Sequence, residues 1–149
     1  MSTAINLTKP DALLLGIEIA ALGTGGGFMA VILLVEDDAA SRRSVALFLR
    51  LAEYEVYEAE DGEAALSLLS RIEFDVVISD LNLPGGISGI DILHALKTIP
   101  RKIGAVLVTG RGSEEIKDTA NSLGAAYIEK PLHLGELERT IQRGGRQQA

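Results

Sequence analysis

The stretch Ala30-Val-Ile-Leu-Leu-Val-Glu-Asp-Asp38 decides the fold. Six apolar residues run without interruption and stop on three acids. A strand with one wet face would alternate apolar and polar residues. An unbroken run instead reads as a strand of a parallel sheet covered on both faces. Three more runs repeat the design. Phe74–Ser79 ends at Asp80, Gly104–Val108 at Thr109, and Ala125–Glu129 at Lys130, which Pro131 follows. Open α/β sheets bind ligands at the carboxyl ends of their strands. Acids, an acid, a hydroxyl and an ammonium should therefore converge on one polar pocket. Such a pocket could hold a divalent cation and a phosphoryl group together.

The segments between these runs carry single apolar stripes at helical spacing. Val45, Phe48, Leu49 and Ala52 mark the first stripe, and Ala65, Leu69 and Ile72 the second. Ile92, Leu93, Leu96 and Ile99 mark the third, within Ser88–Ile99. Ile116, Ala120 and Leu123 mark the fourth, and Leu134, Leu137 and Ile141 the fifth. Asp38 or Ser41, then Asp61, Ser88 and Ser113, stand where helix N-caps are needed. With a further strand near Glu55–Ala59, the pattern is a fivefold β/α alternation. It predicts right-handed crossovers and a doubly wound parallel sheet.

The chain has 149 residues, 47% of them hydrophobic and 23% charged, which suits one domain with a proper core. A net charge of −7 argues against direct nucleic-acid binding, which needs clustered Lys and Arg. There is no cysteine, and the two histidines, His94 and His133, are too few for a His-rich zinc site. The lack of cysteine fits a reducing compartment, and a cytoplasmic location is expected. The longest apolar candidate for a membrane span, Ala12–Leu22, is short and contains Glu18. Three parts are expected: an N-terminal extension over 1–28, a domain over 29–143 and a polar tail over 144–149. The extension holds a linker-like Gly23–Gly27 stretch. It reads as a non-native leader, as a tail or small packed helix, or as a docking helix.

Glu36 and Asp37 are adjacent carboxylates at a strand end. Alone, such a pair reads as one helix cap and one solvated acid. Asp80 from a neighbouring strand changes that reading, because three hard oxygen donors suit Mg²⁺. Asp80 is then the candidate nucleophile, since a carboxylate attacking phosphorus gives an acyl phosphate. Read alone, it is equally a turn aspartate beside the Gly- and Pro-rich Leu81–Gly89. Thr109 could donate its hydroxyl to a phosphoryl oxygen, and Lys130 could pair with the phosphate as a point charge. Alone, each has a plainer reading, as a strand-favouring threonine and a surface lysine. Pro131 fixes the backbone after Lys130, and X-Pro bonds can be cis in tight turns.

Ile32–Asp38, Asp80-Leu-Asn-Leu-Pro84, Val108-Thr-Gly110 and Tyr127-Ile-Glu-Lys-Pro131 resemble the motifs of receiver domains of two-component response regulators. The resemblance covers Ala30 to Arg143. It implies a flavodoxin-like (βα)₅ fold with strand order 2-1-3-4-5. It implies Asp80 as phospho-acceptor, and Glu36, Asp37, Asp80 and the Asn82 backbone carbonyl as the site of Mg²⁺ or Mn²⁺. Asp37 is the direct ligand in this scheme, and Glu36 acts through water. Asp38, just past the pair, is left as the helix cap. Thr109 and Tyr127 correspond to the switch pair, and Lys130 to the lysine that pairs with phosphate. Asn82 and Arg111 fall at positions that tune dephosphorylation. Two features depart from the commonest pattern: a loop Pro84–Gly89 one residue longer, and Gly110 where alanine is frequent.

The resemblance implies a switch that gains and loses its own phosphoryl group rather than a turnover enzyme. The surface expected to change covers Gly112–Leu123, Ala125–Ile128 and His133–Arg143. The expected partners are a sensor histidine kinase or histidine phosphotransfer protein and a downstream protein target, with no membrane span. The chain stops soon after the fifth helix, so a stand-alone protein is expected, an excised hybrid-kinase receiver being the alternative. Two rivals are a phosphate-independent interaction module of the same fold and a flavodoxin-like cofactor binder. The complete residue set opposes the first. The acidic Glu36–Ser41 loop opposes the second, because a flavin phosphate needs an N–H-rich loop.

Overall fold

A computed structural model describes residues 30–144. The 1–28 extension, Met29 and all of the polar tail except Gly144 lie outside the described residues. The sheet has five strands: β1 Val31–Val35, β2 Glu55–Ala59, β3 Val76–Asp80, β4 Gly104–Thr109 and β5 Ala126–Glu129. Five helices alternate with them: α1 Ala39–Leu51, α2 Gly62–Leu69, α3 Gly89–Lys97, α4 Glu114–Ser122 and α5 Leu134–Gln142. All neighbouring strands are parallel, in the order β2-β1-β3-β4-β5. This is the flavodoxin-like (βα)₅ architecture expected from the alternation.

Period-two geometry sends successive strand side chains to opposite faces. Ile32 and Leu34 of β1, Ile78 of β3 and Val106 of β4 join Phe48, Leu49, Leu137 and Ile141 beneath α1 and α5. Leu33, Val35, Val77 and Leu107 join Ala65, Ile92, Leu93 and Ala120 beneath α2, α3 and α4. β3 is buried at every position, which is why its sequence shows no alternation. Each fully buried aliphatic side chain contributes roughly 1.5–3 kcal/mol. The twin cores thus hold the sheet rigid and leave its edges to polar chemistry.

The helix starts follow the predicted caps. Asp38, Asp61, Ser88 and Ser113 each accept from a backbone N–H of the first turn, and Ser88 and Asp91 form a reciprocal capping box. α5 differs, because His133 at its N-cap makes no side-chain cap bond. Gly85 and Gly86, in the long loop after β3, have φ of +89° and +85°, the left-handed region open to glycine.

Candidate functional site

Strand register assembles the site. Val35 of β1 pairs with Ser79 of β3, so the next residues, Glu36 and Asp80, sit level at the carboxyl edge. Asp80 pairs with Val108, and Thr109 with Glu129, which brings Thr109 and Lys130 to the same edge. Single ligand atoms of Glu36, Asp37 and Asp80 all lie within 4.8 Å of one another. Glu36 and Asp80 are buried and Asp37 is exposed. Three hard carboxylate oxygens so placed fit a divalent cation bound through oxygen.

Lys130 supplies the countercharge. Its Nζ donates to Asp80 Oδ2 at 2.8 Å and to Glu36 Oε1 at 3.3 Å. Burial works against the lysine charge, but the hydrogen bond to Asp80 and the two nearby carboxylates outweigh it and raise its pKa. One ammonium cannot neutralise three acids. Burial, together with the hydrogen bond and charge of Asp80, pushes Glu36 up to about 7. Three acids therefore share one ammonium, and the buried Glu36 is the one held back from ionising. The Lys130–Pro131 bond is cis.

Around these groups the backbone is held from outside. Arg42 Nη1 donates to the Glu36 carbonyl at 2.9 Å, and Arg42 also pairs with Glu58 at 3.5 Å. The Ser79 hydroxyl donates to the Asp80 carbonyl at 2.9 Å. Asp38 lies outside the cluster and caps α1, accepting from the Ser41 N–H at 2.8 Å. The Ser41 side chain and then this backbone N–H hold its carboxyl below the usual range. A cavity of about 500 Å³ opens beside the acids between α1 and α5; Ser41, Ser44, Val45, Leu132 and Leu134 form part of its wall.

Thr109 is fully buried, and its Oγ1 accepts from the Arg111 N–H at 3.1 Å. Tyr127 is half-buried, and its hydroxyl donates to Glu129 Oε1 at 3.1 Å. Asn82 and Arg111 are exposed at the rim. The site thus brings together Glu36, Asp37, Asp80 and Lys130, with Thr109 beneath the rim and Tyr127 outside it. Sequence reasoning missed Arg42, Glu129 and the Lys130–Glu36 bond. Arg42 reaches back across the turn after β1 and Lys130 reaches along the sheet edge, whereas Glu129 lies two residues from Tyr127 on one strand, a pairing that period-two spacing could have shown.

Known proteins can now be set beside this geometry. The response regulator receiver domain family matches residues 32–142. The cell cycle response regulator CtrA of Brucella ovis is 34% identical over 107 residues, covering 71% of this chain and 46% of that protein. The chain therefore spans about half the length of the curated relatives it matches. Among solved structures, the chemotaxis response regulator CheY4 of Vibrio cholerae aligns with a TM-score of 0.71 and 32% identity. That alignment covers 78% of this chain and 99% of CheY4. A CheY-like receiver domain protein of Methanospirillum hungatei aligns with a TM-score of 0.72 and 30% identity over 78% and 93% of the two chains.

Proposed function

The chain belongs to the response regulator receiver family, and on that premise we propose that it is a phospho-accepting switch centred on Asp80. One observation carries the proposal. The Glu36, Asp37 and Asp80 oxygens converge within 4.8 Å while Lys130 Nζ stands 2.8 Å from Asp80 Oδ2.

Glu36, Asp37 and Asp80, with the Asn82 backbone carbonyl, would hold Mg²⁺ or Mn²⁺. The donor set fits, being three hard carboxylate oxygens within reach of one ion. When bound, the ion neutralises phosphoryl oxygens and draws them beside the acids. The chain's own groups do the rest. A carboxylate oxygen of Asp80 attacks phosphorus, the new O–P bond forms, and the bond from phosphorus to the donor's leaving atom breaks. Lys130 balances the charge on the phosphoryl oxygens, and the Thr109 hydroxyl donates to one of them. Water later attacks the acyl phosphate and restores the Asp80 carboxylate, with Asn82 and Arg111 setting access at the rim.

The added charge draws Thr109 and Lys130 towards the phosphoryl group, and Tyr127 turns inward. The surface of α4, β5 and α5 then differs between the two states, and a partner that distinguishes them reads the signal. The proposed phosphoryl donor is a sensor histidine kinase or histidine phosphotransfer protein, and the reader is a downstream protein. Among the described residues no helix is long and apolar enough to cross a membrane. The proposed domain boundaries remain 29–143, flanked by the extension and the tail.

Intact mass after incubation with Mg²⁺ and acetyl phosphate tests this function. One added phosphoryl group in the wild type and none in Asp80→Asn is the expected result. No addition to wild type under either acetyl phosphate or a phosphorylated histidine donor would leave a phosphate-independent binding module.

A further inference from the structure

The three-residue turn after β4, Gly110-Arg111-Gly112, touches both members of the proposed switch pair. Its Arg111 N–H donates to Thr109 Oγ1 at 3.1 Å. Its Gly112 lies directly under Tyr127. A Cβ placed on Gly112 would overlap the Tyr127 hydroxyl, approach Cζ to 2.8 Å and lie 3.0 Å from Glu129 Oε1. The φ of Gly112 is outside the left-handed region, so its backbone does not call for glycine. The space above it does.

That space is also polar on its far side. The Tyr127 hydroxyl donates to Glu129 Oε1 at 3.1 Å. Gly112 and Glu129 therefore form a two-part seat, one part an absent side chain and the other a hydrogen-bond acceptor. Gly110 behaves differently. Its added Cβ would meet Lys130 Cδ at 3.8 Å and Cβ at 4.0 Å, ordinary contact distances. Only the second glycine of this turn is closed to a side chain.

We propose that Gly112 is a positioning residue that sets the resting balance of the switch, by leaving room for the Tyr127 hydroxyl to sit outward against Glu129. The geometry stands on its own; the consequence for phosphorylation rests on the receiver reading. A methyl group at 112 removes the outward seat and leaves the inward placement of Tyr127 less opposed. Whatever destabilises the outward state alone raises the inward fraction and favours phosphoryl uptake by up to the same factor, because the two equilibria are linked.

The test uses the full chain labelled with fluorotyrosine, Tyr127 being assigned by its loss in Tyr127→Phe. In unphosphorylated Gly112→Ala, the Tyr127 ¹⁹F resonance should move towards its position in beryllofluoride-treated wild type. With the inward form as the one that reacts, its larger share should quicken phosphorylation by acetyl phosphate about fivefold. In a Tyr127→Ala background, Gly112→Ala should change the rate little, since nothing is left to collide with. Glu129→Ala removes the acceptor without adding bulk, and should move the resonance in the same direction but less far. An unmoved Tyr127 resonance in both Gly112→Ala and Glu129→Ala would overturn the seat. So would an equal rate change with and without Tyr127. A chain that takes up no phosphoryl group would defeat the receiver reading, while the resonance would still decide whether Gly112 places Tyr127.

Discussion

β3 is bounded by two aspartates, and they are treated in opposite ways. Asp75 precedes the strand and is fully engaged. Its Oδ2 accepts from the Val31 N–H at 2.8 Å, its Oδ1 from Arg101 Nη2 at 2.7 Å, and its backbone joins Val31 and Gly104. Asp80 ends the strand, with one cation at 2.8 Å and two further carboxylates within 4.8 Å. The first aspartate ties β1, β3 and the start of β4 together. The second shares a single lysine with Glu36 and stands beside Asp37. A charge whose partners come from the fold is structural, whereas one left short of partners is available for chemistry.

Substitution of the two aspartates should give opposite stabilities. Asp75→Ala leaves the Val31 N–H without its acceptor and leaves the partly exposed Arg101 guanidinium with Glu73 alone. It should cost about 1–3 kcal/mol in a urea melt. Asp80→Asn removes one of three crowded carboxylates, and the metal-free protein should be at least as stable as wild type in the same melt. Equal losses at both positions would erase the distinction.

Metal should act at only one of the two edges. Mg²⁺ at a hundredfold excess over its Kd should stabilise the wild type by about 2.7 kcal/mol in thermal or chemical denaturation. Asp37→Asn should lose most of that gain, and Asp75→Ala should keep it despite its lower baseline. Chelation with EDTA should return wild type to its metal-free stability.

The pH response sharpens the same contrast. The folded pKa of Glu36 is raised from 4.5 to about 7, so the native state binds the proton more tightly than the unfolded chain. The stabilisation is fully present below about pH 4.5 and is lost as pH rises through about 7. In chelator, wild type should therefore lose stability relative to Glu36→Gln between those limits. A difference that stays flat across that window would mean that Glu36 is not the strained member of the cluster. The smallest effect is expected at Gly110→Ala. Its Cβ meets only the Lys130 side chain at ordinary distance, so stability should change by less than about 0.5 kcal/mol.

The sequence carried the strand ends because a doubly covered parallel strand is apolar nearly to its last residue, so the first polar residues mark the edge to within one position, Ser79 before Asp80 and Glu129 before Lys130. That logic located Glu36, Asp80, Thr109 and Lys130, and the capping chemistry located Asp38, Asp61, Ser88 and Ser113. It could not reach contacts fixed by register or loop path. The Lys130–Glu36 bond spans 94 residues and exists only because β1 and β5 end at one edge. Arg42 reads as one more polar residue of α1 until its reach to the Glu36 carbonyl is seen. Gly112 looks like turn punctuation, and only the placement of Tyr127 shows that its missing side chain has a use.

We propose that Asp80 carries the phosphoryl group and takes it up only with a divalent cation beside it. Wild type treated with acetyl phosphate, in Mg²⁺ or in EDTA, can be reduced with borohydride, which converts an aspartyl phosphate to homoserine, and then mapped by peptide mass. Homoserine at position 80 alone, formed only with the metal, is the predicted result. Homoserine at Asp37 or Asp75, or at Asp80 equally well in EDTA, would contradict it.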